Sequence, residues 1–366
     1  HKLSQYPPAI SAGDVNGEGL DDFFVSGSRH HKGKFFLQNP SGTFTLSDLL
    51  PGIEGPEKMS EDMGTLLFDA DGDGDNDLYI ASGSNELKTN DPGFQDRLYI
   101  NDGKGNFTLS TIALPQILTS KSCVRAADYD RDGDLDLFIA GRVEPDQYPK
   151  PVNSYILRND TFRSLKSEVR SQKSNLLTPK FTDVTAQIAP NLQNLGLACD
   201  ALWTDYDNDG WMDLLIAGEW MPLTLLKNNR GRFDMLRSSD LDTKKGFWNS
   251  LVGADFDHDG DIDYIAGNLG LNALTKASDT YPMSMLAGDF NQDGSYDAIP
   301  FIYFLNAENK PIRVPFHGRE DLIKQFIQTR ARFQTYNDFA NATFDNLLNE
   351  PERKKAIQLD VNYCSS

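Results

Sequence analysis

One pattern of aspartates recurs six times along the chain and constrains its fold more than any other feature. The copies span residues 14–22, 69–77, 128–136, 205–213, 255–263 and 289–297. Each is nine residues long, with aspartate at positions 1 and 9, glycine at position 6, and an acidic or amide residue at positions 3 and 5. Self-similarity of this kind indicates a repeat architecture in which each copy belongs to one structural unit.

The chemistry of the repeat predicts a site for Ca²⁺. Oxygen ligands at alternate positions, a glycine that lets the backbone turn sharply and a carboxylate that closes the cage suit a hard, flexible cation. Mg²⁺ fits less well, because it demands an octahedral shell and gives up water reluctantly. Taken at positions 1, 3, 5, 7 and 9, the candidate ligands are Asp14, Asn16, Glu18, Leu20 and Asp22; Asp69, Asp71, Asp73, Asp75 and Asp77; Asp128, Asp130, Asp132, Asp134 and Asp136; Asp205, Asp207, Asp209, Trp211 and Asp213; Asp255, Asp257, Asp259, Asp261 and Asp263; and Asp289, Asn291, Asp293, Ser295 and Asp297.

The loop differs from an EF-hand beyond its first half. An EF-hand places a bidentate glutamate at position 12 and a helix after it. Here each loop leads into a short run of apolar and β-branched residues, such as DLYIASG from Asp77 and DLFIAG from Asp136. Runs of this kind predict buried strands. Position 12 holds Val25, Ile80, Ile139, Ile216, Ala266 or Pro300.

The spacing of the loops predicts an all-β fold, a β-propeller of about seven blades. Successive loops begin 55, 59, 77, 50 and 34 residues apart, which is close to one four-stranded blade plus variable connections. A second hairpin follows each of the first four loops, for example RLYINDGKGNFTLS from Arg97 and SYILRNDTFRSL from Ser154. The 34-residue step leaves little room for two more strands. The fifth blade is therefore expected to be incomplete or completed by a distant segment, and ring closure stays open.

Two segments fall outside the blade pattern. A polar stretch from about 164 to 194 is interpreted as an insertion that explains the 77-residue step. From residue 316 the apolar residues recur at helical intervals. The expected organisation is a propeller over 1–315 and a helical segment over 316–366, which is expected to lead into a further blade beyond this sequence.

These residues resemble a known family. The D-x-[DN]-x-[DNE]-G-x-x-D loop between two strands is similar to the FG-GAP or VCBS repeat of integrin α-subunit propellers. GEWMPL from Gly218, GFWNSLVGADFDHDGDIDYIAGNLGLN from Gly246 and GREDLIKQF from Gly318 resemble the bacterial VCBS-repeat proteins associated with ASPIC/UnbV segments and related to cartilage acidic proteins. The resemblance implies up to six bound Ca²⁺, a propeller of about seven blades and an extracytoplasmic location. Glu18 in loop 1, and Asn291 with Ser295 in loop 6, depart from the usual ligands and imply weaker sites.

A candidate ligand surface follows from the topology. If the loops join the first and second strands on one face of the disc, the residues after the second strands emerge on the other face. Polar groups with an aromatic residue in such a ring suit a glycan or peptide ligand. These residues are Arg29, His30, Asn85, Glu86, Arg142, Glu144, Glu219, Trp220, Asn268 and Asn272.

The net charge and the lack of known catalytic motifs exclude several classes of function. A formal charge of −19 repels phosphate backbones, so nucleic-acid binding is excluded, and no apolar run is long enough to span a membrane. No H-E-x-x-H, G-x-S-x-G or Walker motif occurs, so no catalytic residue is assigned. The leading expectation is a non-catalytic calcium-binding module with a carbohydrate or protein partner. The alternatives are a calcium-dependent polysaccharide lyase and a purely structural module of a longer surface protein.

Overall fold

The chain folds into successive antiparallel sheets, each built around one aspartate loop. The computed structural model describes residues 8–52, 54–161 and 178–365. Six sheets occur within these ranges, and in each the loop joins the first strand to the second. Few helices accompany them, so the predicted all-β propeller class is confirmed.

Sheets 1 to 3 each contain four strands in sequential order. In sheet 1 the strands are β1 (Ile10–Gly13), β2 (Asp22–Val25), β3 (Lys34–Gln38) and β4 (Phe44–Ser47). In sheet 2 they are β5 (Glu61–Phe68), β6 (Asp77–Gly83), β7 (Arg97–Ile100) and β8 (Thr108–Ser110). In sheet 3 they are β9 (Ser120–Ala127), β10 (Asp136–Val143), β11 (Tyr155–Asn159) and β12 (Phe181–Asp183).

The later sheets are less regular. Sheet 4 comprises β13 (Leu197–Thr204), β14 (Asp213–Pro222), β15 (Thr224–Asn228), β16 (Phe233–Met235) and an added strand, β17 (Lys245–Phe247), which pairs with β14. Sheet 5 has β18 (Ser250–Ala254) and β19 (Asp263–Gly267). Sheet 6 has β20 (Met283–Gly288), β21 (Asp297–Leu305), β22 (Pro311–Pro315) and β23 (Ile357–Val361).

The second strands of sheets 2, 3 and 4 are apolar because they are covered on both faces. Every residue of β6 and β10 is buried, and so is every residue of β14 except Pro222. Sheets 1 to 5 pack face to face in chain order, with their first strands side by side. Each interface holds its own apolar cluster; Phe24, Phe35, Leu78 and Ile80, for example, lie between sheets 1 and 2. Burial of these clusters supplies the main driving force for stacking the sheets.

Two details differ from the sequence-based expectations. The fourth strand of sheet 3, β12, comes from the segment interpreted as an insertion, and it pairs with β11. The sequence-based prediction placed this fourth strand directly after the turn of the hairpin that begins at Ser154. Most of the residues that follow that turn lie outside the described ranges. Sheet 5 has only two strands among the described residues, so the anticipated shortage of chain in the fifth blade is real.

Short helices follow sheet 6 and pack against it. They are α3 (Arg319–Gln325), α4 (Gln328–Arg332), α5 (Tyr336–Phe339), α6 (Phe344–Leu347) and α7 (Glu350–Lys355), preceded in the chain by α1 (Thr185–Ile188) and α2 (Ser239–Asp242). Leu322, Phe326 and Leu347 form a core with Ile299 and Phe301 of β21. After α7 the chain returns as β23, which pairs with β20. Among the described residues, no helix is both long and apolar enough to span a bilayer.

Candidate metal centres and ligand cavity

The six aspartate loops share one backbone conformation. The glycine at position 6 has a positive φ in every loop, between 82° and 99°, a region that glycine enters without steric cost. The position-1 carboxylate accepts a hydrogen bond from the N–H of that glycine in all six loops, at 2.7 to 3.1 Å. This bond folds the loop around its own first aspartate. The later carboxylates are thereby turned toward the same centre.

The position-9 aspartate ties each of loops 1 to 4 to the third strand of its sheet. In loop 2, Asp77 accepts hydrogen bonds from the N–H of Ala70 at 2.9 Å and of Asn101 at 2.8 Å. Burial raises the pKa of Asp77 to about 8 and that of Asp136 to about 8. A cation bound nearby would oppose this rise, because it favours the ionised form of a carboxyl group. The buried carboxylates therefore fit a site that holds a positive charge.

Four loops gather carboxylates closely enough to hold a metal ion. In each, three carboxylates place an oxygen within 4.8 Å of the others. Loops 1 and 6 form no such cluster among the described residues, and they carry Asn16 and Asn291 at position 3. Oxygen-rich cages of this kind are typical of hard divalent cations. The clusters are Asp69, Asp71 and Asp77; Asp128, Asp130 and Asp136; Asp205, Asp207 and Asp213; and Asp255, Asp257 and Asp259.

Loop 4 has a lysine beside its carboxylates. Lys227, on β15, pairs with Asp207 at position 3 and lies 3.5 Å from Asp209 at position 5. The hydrogen bond with Asp207 raises the pKa of Lys227 above its ordinary value, so this side chain stays charged. This ammonium group would compete with a metal ion for the same oxygens. Loop 4 should therefore be a weaker site than loops 2 and 3.

Buried asparagines link neighbouring loops, and the sequence analysis missed them. The side-chain amide of Asn101 donates to the carbonyl of Val15 in loop 1 at 2.8 Å. In the same way Asn159 donates to Ala70 in loop 2, and Asn228 donates to Tyr129 in loop 3. Each of the three ends, or directly follows, the third strand of its own sheet. The sequence does carry a signal for these residues, because an asparagine ends each of the tripeptides YIN (99–101), LRN (157–159) and LKN (226–228).

A cavity of about 590 Å³ lies at the strand ends opposite loops 2 to 4. It is bounded by residues that follow β6 and β10 and by the end of β14, and on its other side by sheet 6. The N–H of Tyr296, in loop 6, donates to the carbonyl of Asp146 at 2.7 Å. Loop 6 therefore faces the opposite strand ends of sheet 3, whereas the topological argument placed all six loops on one face.

A buried polar network forms the floor of this cavity. Glu219 accepts a hydrogen bond from Arg142 at 2.6 Å and another from the Tyr148 hydroxyl at 3.1 Å. The Trp220 indole N–H donates to the same hydroxyl at 2.7 Å. Trp220 also has a φ of 62°, which is an outlier for a bulky residue. Such conformations are retained where the surroundings fix them, and they cluster at functional sites.

The structure brings together some of the predicted ligand residues. Asn85, Glu219 and Trp220 line the cavity, and Arg142 lies beneath it through its bond to Glu219. Asn85 also accepts a hydrogen bond from the N–H of Asp146 at 3.2 Å. Tyr148, Asp146 and Phe247 line the cavity as well, although the sequence analysis did not select them.

The other predicted ligand residues lie elsewhere. Arg29 pairs with exposed Glu86 at 3.4 Å, and the His30 ring lies 3.2 Å from the carbonyl of Gly55. Glu144 accepts a hydrogen bond from Thr89 at 2.5 Å. The remaining two are Asn268, which donates to the carbonyls of Tyr363 and Ser365, and exposed Asn272. These residues do not form one continuous ring.

Comparison with known proteins agrees with the repeat pattern. Cartilage acidic protein 1 of Mus musculus is 25% identical over 228 residues, which are 61% of this chain and 31% of the mouse protein. The chain thus spans about a third of the length of that relative. A solved lectin structure from Agrocybe aegerita, described as recognising non-reducing terminal N-acetylglucosamine, is 14% identical with a TM-score of 0.45. The structural alignment covers 98% of this chain and 86% of the lectin chain. A similarity this distant says nothing about the function of this chain.

The family is shown by the repeats themselves. A sequence profile described as the FG-GAP-like repeat matches residues 14–80, 69–139 and 205–266. Together these segments cover just over half of the chain, and they contain loops 1 to 5. The chain therefore belongs to the FG-GAP-like repeat family, as its aspartate loops indicate.

Proposed function

We propose that this protein is a non-catalytic, calcium-binding propeller that works outside the cytoplasm and binds a carbohydrate or protein partner. The observation that carries the proposal is the shared geometry of the loops, with three carboxylates gathered around one point in four of them. Ca²⁺ accepts six to eight oxygen ligands in flexible geometry. It therefore suits a loop that offers side-chain and backbone oxygens at alternate positions.

The location follows from the expected affinity. Surface loops of this type bind Ca²⁺ at about 10⁻⁴ to 10⁻³ M in extracellular modules. Sites of that affinity fill where calcium is abundant. The FG-GAP-like repeats, which are typical of extracellular proteins, support the same setting.

The cavity supports a binding role over a lyase. A lyase acting on uronates would need a cationic group beside the substrate carboxylate and a base within reach of the proton that it removes. None of the described residues that line the cavity is a lysine or arginine. Its mixture of aromatic rings and a few polar groups is typical of a recognition site.

Calcium binding is tested by counting ions on the intact protein. Native mass spectrometry in calcium-containing buffer should show at least four Ca²⁺ per chain, and up to six, because loops 1 and 6 carry fewer carboxylates. Six ions would bring the formal charge from −19 to −7. A matched measurement with Mg²⁺ alone should show fewer bound ions. A count of zero or one in calcium would contradict the proposal, and dissociation constants near 10⁻⁸ M at most sites would contradict the extracytoplasmic assignment.

A further inference from the structure

The cavity beside sheet 6 has an acidic character. Asp146 is exposed at its edge, and no lysine or arginine of the described residues forms an ion pair with it. Glu219 also lines the cavity, but its charge is offset by buried Arg142. Burial lowers the pKa of His317, the histidine on the cavity wall, so this ring adds no positive charge at neutral pH. The unbalanced charge of the cavity is therefore the Asp146 carboxylate.

Aromatic rings line the same cavity as this carboxylate. Trp220 and Phe247 meet edge to face, with ring centroids 4.9 Å apart. Ring faces carry negative electrostatic potential and attract ammonium and guanidinium groups, more strongly when water is excluded. The aromatic residues that line the cavity are Tyr148, Trp220, Phe247, Tyr296 and Phe316.

The aromatic wall is held rigidly. Trp220 is only 6% exposed, and its indole N–H is fixed by the Tyr148 hydroxyl. Tyr148 is in turn fixed by Glu219, which is anchored by Arg142. A site whose side chains are already ordered loses little conformational entropy when a ligand binds. The cavity is thus preformed for a ligand.

We propose that this cavity binds a cationic side chain, an arginine or a lysine, presented by a partner protein; this inference rests on the proposed function and specifies its partner. The guanidinium or ammonium group pairs with Asp146 and contacts aromatic ring faces of the cavity, while its methylene stem packs against Trp220 and Phe247. The cavity of about 590 Å³ is larger than one side chain, so neighbouring backbone also enters. The negative charge of the whole chain draws a basic partner toward the site.

The charge of the ligand is the property to test. Calorimetric titrations of the calcium-loaded chain would use the blocked tripeptide Gly-Arg-Gly and its citrulline analogue, which keeps the shape but has no charge. The citrulline peptide should bind about tenfold more weakly or worse, since it loses both the ion pair and the cation–π attraction. A Gly-Glu-Gly peptide, a neutral methyl glycoside and a methyl uronate complete the set.

A matched pair of variants locates the interaction. Asp146→Asn keeps the shape and should weaken arginine binding about fivefold, the upper range for an exposed ion pair. Asp345→Asn removes the same charge at a carboxylate whose side chain is 88% exposed on α6, and it should leave the affinity unchanged. Equal binding of arginine and citrulline peptides, an equal loss in both variants, or no binding of any charged peptide overturns the inference. Binding of the methyl glycoside alone also overturns this inference, but it leaves the proposed function intact. Failure of the proposed function would be recognised separately, because the chain would then bind no calcium in native mass spectrometry.

Discussion

At the scale of single residues, position in the loop decides what an aspartate does. Asp136, at position 9, is fully buried and accepts the N–H of Asn159 at 2.7 Å, so it joins the loop to β11. Asp132, at position 5, accepts the N–H of Asp134 at 3.2 Å, a bond within its own loop. Loss of Asp132 should therefore weaken metal binding, whereas loss of Asp136 would also damage the sheet.

Asp132→Ala should remove one calcium ion and little else. When free Ca²⁺ is about tenfold above the dissociation constant of a site, binding at that site stabilises the fold by about 1.4 kcal/mol. Loss of the site should therefore lower Tm by a few degrees, at roughly 2 to 4 °C per kcal/mol. Native mass spectrometry and thermal melting in calcium check both effects. Asp21→Ala, at exposed position 8 of loop 1, is the control and should change neither. An unchanged ion count in Asp132→Ala would mean that loop 3 is only an acidic turn.

At the scale of elements, the third strands connect one aspartate loop to the next. Asn228, at the end of β15, donates its amide to Tyr129 of loop 3 at 2.8 Å and to Met212 of its own loop at 3.0 Å. Its side-chain oxygen accepts the N–H of Gly231 at 2.7 Å. The side chain is fully buried. One residue therefore satisfies backbone groups in two adjacent sheets.

Asn228→Ala should destabilise the interface between sheets 3 and 4. Leaving buried carbonyls without donors costs about 1 to 3 kcal/mol for each group, so the free energy of unfolding should fall by about 2 to 4 kcal/mol in chemical denaturation. Calcium affinity of loops 3 and 4 should fall together, as titration would show. The neighbouring Asn229→Ala changes an exposed turn residue and should cost far less. Equal losses in the two variants would show that the link between loops is unimportant.

The elements that the sequence predicts well are the ones that local chemistry determines. The loops and second strands could be predicted because ligand spacing, the position-6 glycine and apolar runs lie within about fifteen residues of one another. The last strands of sheets 3 and 6 could not. The pairing of β12 with β11 and of β23 with β20 joins segments far apart in sequence, and only tertiary packing selects the partner.

The candidate ligand cavity was only partly predictable for the same reason. Topology identified Glu219 and Trp220, because both lie at the end of a second strand. It could not identify Tyr148 or Phe247, which reach the cavity from a loop and from the added strand β17. Sheet 6 closes the cavity through long-range contacts, such as Met283 and Met285 against Trp220, that leave no periodic signal in the sequence.

At the scale of the whole molecule, the loops concentrate charge that folding must tolerate. The −19 formal charge comes from 54 acidic against 35 basic residues, and nearly half of the acidic residues lie in the six loops. Without metal, carboxylates a few ångströms apart repel one another, which opposes the compact state. Bound calcium, as proposed, would therefore stabilise the protein in two ways, through the ligand bonds themselves and by removing this repulsion.

Removal of calcium should consequently destabilise the fold far more than any single loop variant. If free Ca²⁺ is about tenfold above each dissociation constant, six independent sites add about 8 kcal/mol to the free energy of unfolding. This is comparable with the roughly 5 to 15 kcal/mol net stability of a domain. At roughly 2 to 4 °C per kcal/mol, EDTA should lower Tm by more than about ten degrees. Calorimetry on chelated and calcium-restored samples measures the difference, and readdition of Mg²⁺ in place of Ca²⁺ should restore only part of it. Mass spectrometry would verify that the chelated protein has lost its metal. If that protein melts within about two degrees of the calcium-loaded form, the loops do not depend on metal, and their carboxylates only stabilise the turn conformation.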